Sequence, residues 1–126
     1  MIVLDASVLI SYWGTPDTHS DDAFAILDTE QGLVIHPVTL AESLVGLVRI
    51  GREGEALEEL LRLGVERHSP MTEEPVEIAR LRASTSVKTP DCCVLVTAVA
   101  LDATLATVDR RLAEVARSRG VAVAGP

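Results

Sequence analysis

Aromatic side chains are nearly absent from this sequence: Tyr12, Trp13 and Phe24 are the only ones in 126 residues. Three rings are too few for the stacking platforms on which many single-strand binders rely. Positive charge is scarce as well. Lys88 is the sole lysine, and 11 basic against 19 acidic residues leave a formal charge of −8. A protein that coats nucleic acid would be basic, so any nucleic acid handled here must be held by a local patch or by bound metal. Cysteine is limited to the adjacent pair Cys92 and Cys93. Neighbouring cysteines have poor geometry for a mutual disulfide, and two thiols make no zinc-type C-x-x-C signature. They read as small buried hydrophobes. No apolar stretch reaches the ~18 residues of a membrane span, and the start lacks the basic segment of a signal peptide. These features predict a cytoplasmic protein with no membrane partner.

What is present is material for a core. Apolar residues make up 48% of the chain, and the length predicts a single domain over residues 1–126. There is no internal repeat, low-complexity tract or linker. Short buried strands are predicted at "IVLD" (2–5), "LVIH" (33–36), "ATLATVD" (103–109) and "VAVA" (121–124), with an edge strand at "VERH" (65–68). Helices are predicted at "SVLISYW", "DDAFAILDTEQ", "TLAESLVGLVRI", "EGEALEELLRLG", "EEPVEIARLRAS" and "RRLAEVARSRG". Gly51 and Gly54 are taken to break the third from the fourth. "PDCCVLVTAVAL" (90–101) is apolar on every side and predicts a buried central helix. Alternating strands and helices predict an α/β fold of three layers, α/β/α, around a mostly parallel sheet.

Asp5 stands inside "MIVLDASVLI", a stretch that otherwise reads as core. A buried unpaired carboxylate costs several kcal/mol, so it needs a partner: a cation, backbone N–H donors or water. Three further acids fall at comparable places. Glu42 lies in the first turn of the helix after "LVIHPV", Asp91 in the first turn of the apolar helix, and Asp109 at the end of "ATLATV". In a parallel sheet, strand ends and helix starts share the carboxyl edge, where ligands bind. Each acid also has a local explanation. Thr39-x-x-Glu42 matches a capping box. Thr89-Pro90-Asp91 matches a helix start with Thr as cap. Asp109 and Asp5 can each cap the helix that follows. The joint placement is what points to chemistry, because clustered carboxylates repel unless a cation binds, and carboxylates with water suit Mg²⁺ or Mn²⁺.

The same residues carry a family resemblance. "MIVLDASVLI" resembles the opening of a PIN domain, with Ser7 as the hydroxyl residue after the first acid. "TLAESLVGLVR" resembles the second acidic motif, "KTPDCCVLVTAVAL" the third and "LATVDRRL" the fourth, with Thr107 and Asp109. Order, spacing and length resemble the VapC-type toxins of bacterial toxin–antitoxin pairs over essentially the whole chain. Two departures stand out. Cys92 replaces the more usual small residue, and "DRRL" lacks a further acid that some members carry.

The resemblance implies a Mg²⁺- or Mn²⁺-dependent endoribonuclease. In it, Asp5 and Asp91 are the principal metal ligands. Asp109 is a second-metal or water-mediated ligand, and Glu42 orients the attacking water or completes a coordination shell. Ser7 and Thr107 hold carboxylates or ligand waters from behind. It also implies a structured RNA substrate such as tRNA or rRNA, a cognate antitoxin and a two-fold homodimer. The antitoxin helix is expected across residues 40–61, where Leu40, Leu44, Leu47 and Val48 share one face and Leu57, Leu60 and Leu61 line the next helix. The alternative is a non-catalytic metal-binding α/β module on a degenerate PIN scaffold, which would be expected to have lost acids. A receiver domain would need an acid after its third strand and a lysine near its last, and "VERHSP" and "VAVAGP" have neither. A haloacid-dehalogenase-like phosphatase needs D-x-D-x-T, and "DASVL" lacks the second Asp. His19, His36 and His68 show no metal spacing and read as structural or surface residues. Arg49, Arg52, Arg110, Arg111, Arg117 and Arg119 read as surface charges able to contact phosphate.

Overall fold

Every strand is short: β1 (Ile2–Leu4), β2 (Leu33–Ile35), β3 (Val65–Arg67), β4 (Thr104–Ala106) and β5 (Val123–Ala124). In the computed structural model, which describes residues 1–125, they form one parallel sheet in the order β3-β2-β1-β4-β5. The connecting helices are α1 (Ala6–Trp13), α2 (Ser20–Leu27), α3 (Pro37–Arg49), α4 (Glu53–Arg62), α5 (Glu74–Ser84), α6 (Thr89–Ala100) and α7 (Arg110–Ser118). Alternation along β1 explains the layering. Ile2 and Leu4 point to one face, with Val8 and Leu9 of α1, Ile26 of α2, Leu40 of α3 and Leu60 of α4. Val3 points to the other, with Leu81 of α5, Leu95 of α6 and Leu112 of α7. Leu4, Leu9, Leu95 and Leu105 are fully buried, and truncating such a residue to Ala costs ~2–5 kcal/mol.

The strand order fixes where a ligand can sit. From β1 the chain steps outward through β2 and β3, then crosses to β4 on the other side of β1 and on to β5. The carboxyl ends of β1 and β4 therefore flank the crevice where the winding reverses. Leu4 pairs with Ala106 across it, so Asp5 and Thr107 follow on adjacent strands.

Several local expectations change. Gly54 lies within α4 and does not break a helix. Gly51 alone turns the chain, at a φ of 69° that favours glycine. β5 is limited to two residues of "VAVA". The last turn of α6 leaves the core, with Val99 61% exposed. Cys92 and Cys93 are buried free thiols, as expected. Two of the three aromatics have structural duties: Tyr12 Oη donates to Glu59 Oε1 at 2.6 Å and Trp13 Nε1–H to Glu59 Oε2 at 3.2 Å, tying α1 to α4. Among the described residues no helix is long and apolar enough to cross a membrane. The single-domain reading runs to Pro126, which lies outside the described residues.

Candidate active site

Asp5 is 5% exposed at the end of β1. It occupies the cap position of α1 but makes no side-chain cap bond, so helix capping does not account for it. Its Oδ2 instead accepts from Ser7 Oγ at 2.5 Å and from Thr107 Oγ1 at 2.8 Å. Each hydroxyl is then held in turn by backbone: Val108 N–H donates to Ser7 Oγ at 3.1 Å, and Asp109 N–H to Thr107 Oγ1 at 3.0 Å. With both hydroxyl protons spent on Oδ2, the 3.1 Å approach of Ser7 Oγ to Thr107 Oγ1 is packing rather than a further bond. Oδ1 of Asp5 receives no hydrogen bond from a described residue and is not sealed from solvent. β5 supports this arrangement from the side: Thr107 N–H donates to Ala124 O at 3.1 Å. A Cβ on the following Gly125 would collide with the Thr107 carbonyl.

Asp109 and Asp91 arrive from helix starts and Glu42 from the second turn of α3. Asp109 is the N-cap of α7, its Oδ1 accepting from Arg111 N–H at 2.9 Å and Leu112 N–H at 3.3 Å. The capping reading is thus correct for Asp109, and it leaves the second oxygen free. Asp91 sits in the first turn of α6, half-buried. Thr89 is not the cap: Lys88 holds that position without a side-chain bond. The capping box at Thr39–Glu42 is also absent. α3 begins two residues earlier, capped by His36, whose Nδ1 accepts from Val38 N–H at 3.0 Å. That leaves the proton on Nε2, which donates to Glu74 Oε1 at 2.8 Å. Glu42 consequently lies further into α3, exposed, and Thr39 Oγ1 is buried without a partner. Pro37 at the first helical position was the signal for this earlier start.

The four acids feel one another's charge. Burial raises the Asp91 carboxyl, and the charges of Asp5, Asp109 and Glu42 raise it further while Lys88 lowers it, to about 6. Burial and then Asp5 raise Glu42. Asp91 and Asp109 also line one cleft of about 180 Å³. Yet among the described residues no three His, Cys, Asp or Glu side chains form a ready-made cage around a single point. The donor set still fits a hard divalent cation. Mg²⁺ uses only one or two carboxylates and keeps several waters, and an ion would relieve the repulsion that adds to burial in raising Asp91. Zinc-type ligation does not fit, because both cysteines are buried in the core and His36 is committed on both nitrogens.

Comparison with known proteins follows the same line. No curated protein matches the chain by sequence. Among solved structures, a toxin–antitoxin complex from Klebsiella pneumoniae superposes with a TM-score of 0.73 at 20% identity, covering 88% of each chain. VapC20 of Mycobacterium tuberculosis, a toxin that cleaves the sarcin–ricin loop, gives 0.73 at 12% identity over 91% of this chain and 95% of that one. VapBC2 of Rickettsia felis, bound to a promoter DNA fragment, gives 0.72 at 16% identity over 99% and 98%. At such identities these likenesses establish the fold. The PIN domain family profile matches residues 2–118, and with nearly the whole sequence covered, this chain belongs to the PIN-domain family.

Proposed function

We propose that the protein is a divalent-metal-dependent endoribonuclease and the toxin of a toxin–antitoxin pair. The observation that carries this reading is the electrostatic coupling of Asp5, Glu42, Asp91 and Asp109, brought from four separate segments to the reversal point of a parallel sheet. Bound Mg²⁺ or Mn²⁺ would neutralise charge on the scissile phosphate and acidify a water. The chain's own residues do the rest. Asp5 offers Oδ1 while Ser7 and Thr107 hold Oδ2. Asp91 offers its carboxylate once its proton is displaced. Asp109 contributes the oxygen that does not cap α7. Glu42, raised above the ordinary glutamate range by burial and Asp5, orients the attacking water and takes a proton from it.

The antitoxin reading draws support from the neighbours that are toxin–antitoxin complexes and from the surface of α3 and α4. Leu40 and Leu60, expected in the partner groove, pack in the core and also line the cavity beside α4. What remains outside is Val45, Val48 and Ile50 of the α3 end, 46–63% exposed, and Leu61 of α4 at 77%. Beside them a cavity of about 590 Å³ is lined by Leu57, Leu61 and Val65. An amphipathic antitoxin helix with a basic end suits both this apolar strip and the acidic site. A structured RNA loop in tRNA or rRNA is the substrate class that the likeness to VapC20 supports, and a second copy of the chain completes the toxin.

Purified protein tested on RNA decides the activity. Cleavage should vanish in EDTA and return with Mg²⁺ or Mn²⁺, and Asp5→Asn should lower it by at least ~10²-fold. Full cleavage in rigorously metal-free protein would overturn the reading.

A further inference from the structure

We infer that the cleft between the first turn of α6 and α7 seats one unstacked nucleotide of the RNA, next to the phosphodiester that is cut, with Arg111 and Lys88 receiving its phosphate. This rests on the nuclease reading above and adds the place where the substrate is held. The cleft has a volume of about 180 Å³, well short of the ~300–1,000 Å³ of drug-sized sites and suited to a single base. Its floor is apolar, made by Val87 and Leu112, which are 6% and 2% exposed. A flat base face can cover such a floor without stranding a polar group.

One wall is acidic and the other basic. Asp91 and Asp109 form the first, so a nucleotide in the cleft places its neighbouring phosphodiester at the carboxylates. The second wall carries Lys88 and Arg111. Arg111 Nη2 donates to Ser86 Oγ at 2.7 Å, which fixes the guanidinium against the cleft. Two other arginines are held in local ion pairs, Arg52 with Glu55 and Arg80 with Glu77. Among the described residues neither Lys88 nor Arg111 is in an ion pair, and both keep donors for an incoming phosphate. The guanidinium plane can also stack on a base, a role that aromatic rings fill in other RNA binders. In a chain of charge −8, Lys88 and Arg111 put positive charge beside the acid cluster, which lets a polyanion approach it.

A base fits this cleft only when it is out of its stack, so single-stranded and loop RNA should be accepted and perfect duplex refused. The test uses the full chain with Mg²⁺ and a short single-stranded RNA of mixed sequence. It compares wild type, Arg111→Ala, Arg111→Lys and Val115→Phe; Val115 also lines the cleft, so the larger ring fills it. Equilibrium binding of the same RNA is measured in an Asp5→Asn background. Expected are a rise in KM and Kd of about tenfold for Arg111→Ala, partial recovery with Arg111→Lys, kcat little changed, and an altered distribution of cut sites for Val115→Phe. If wild type cleaves but the Arg111 variants leave KM, Kd and cut sites unchanged, the pocket is wrong and the nuclease reading stands. If Arg111→Ala weakens binding but a folded Val115→Phe leaves cut sites untouched, a phosphate alone is held there, and the base pocket is refuted. If wild type binds RNA through Arg111 yet never cleaves it, the nuclease reading fails and the pocket survives. Absence of both binding and cleavage overturns both.

Discussion

Replacing Asp91 by Asn should stabilise the metal-free protein at neutral pH. In the folded chain this carboxyl titrates at about 6, against an ordinary value of 3.8, because burial and the charges of Asp5, Asp109 and Glu42 oppose its ionisation. A shift of about two units corresponds to ~3 kcal/mol if fully expressed. Asp91 is only half-buried, and solvent screening reduces this to ~1–2 kcal/mol. Between pH 3.8 and about 6 the folded state holds a proton that the unfolded state has released. The contribution of Asp91 to stability therefore falls as pH rises through that window, the reverse of ordinary acid denaturation. Asn has the shape and no charge, so Asp91→Asn should remove this slope and gain ~1–2 kcal/mol above it. Urea titrations in chelator, at pH values on either side of the window, measure both. Added Mg²⁺ should stabilise wild type more than the variant, since ligand binding to the native state adds to its stability. A variant that is less stable than wild type at neutral pH without metal, or that keeps the wild-type slope, would refute the reasoning.

Thr107→Val should cost ~1–3 kcal/mol, because it strips a hydrogen bond from buried Asp5 and strands the Asp109 N–H. Its cleavage rate should fall while overall fold, read by circular dichroism, is kept; unchanged activity would remove Thr107 from the site. Val48→Asp with Leu61→Asp should leave unfolding midpoints near wild type, both side chains being more than half exposed, yet abolish co-purification with the antitoxin. Retained co-purification would move the antitoxin off this surface. Binding of Mn²⁺ to wild type should strengthen as pH rises toward about 6, where the metal-free Asp91 loses its proton, and level off above it. An affinity independent of pH across that range would show that Asp91 is not a ligand.

Much of the scaffold is legible in the sequence because its signals are local. Runs such as "IVL" and "LVI" are buried on both faces, and a parallel sheet between helix layers demands that. Asp5, Asp91 and Asp109 follow from the same pattern, as each comes directly after a strand or at a helix start, whereas Glu42 lies in the second turn of α3. Local pattern misleads where two caps compete. Thr39 and Glu42 fit a capping box, but His36 followed by Pro37 starts α3 earlier, and its pairing with Glu74, 38 residues away, is a long-range choice. The hold of Thr107 on Asp5 spans 102 residues and that of Ser86 on Arg111 spans 25. The first was suggested by family likeness alone, and the second left no local trace. Helix faces are similarly ambiguous. Leu40 and Leu60 share the spacing of Val48 and Leu61, and only the tertiary packing separates core from surface.

The most direct test of the central claim is anomalous diffraction from crystals of the protein soaked in Mn²⁺. A peak is expected within ~2.0–2.2 Å of carboxylate oxygens from Asp5 and Asp91, with Asp109 reached directly or through water. It should be lost in Asp5→Asn crystals. A wild-type map without manganese at these acids, or with manganese bound only elsewhere, would contradict the assignment of this site as a metal centre.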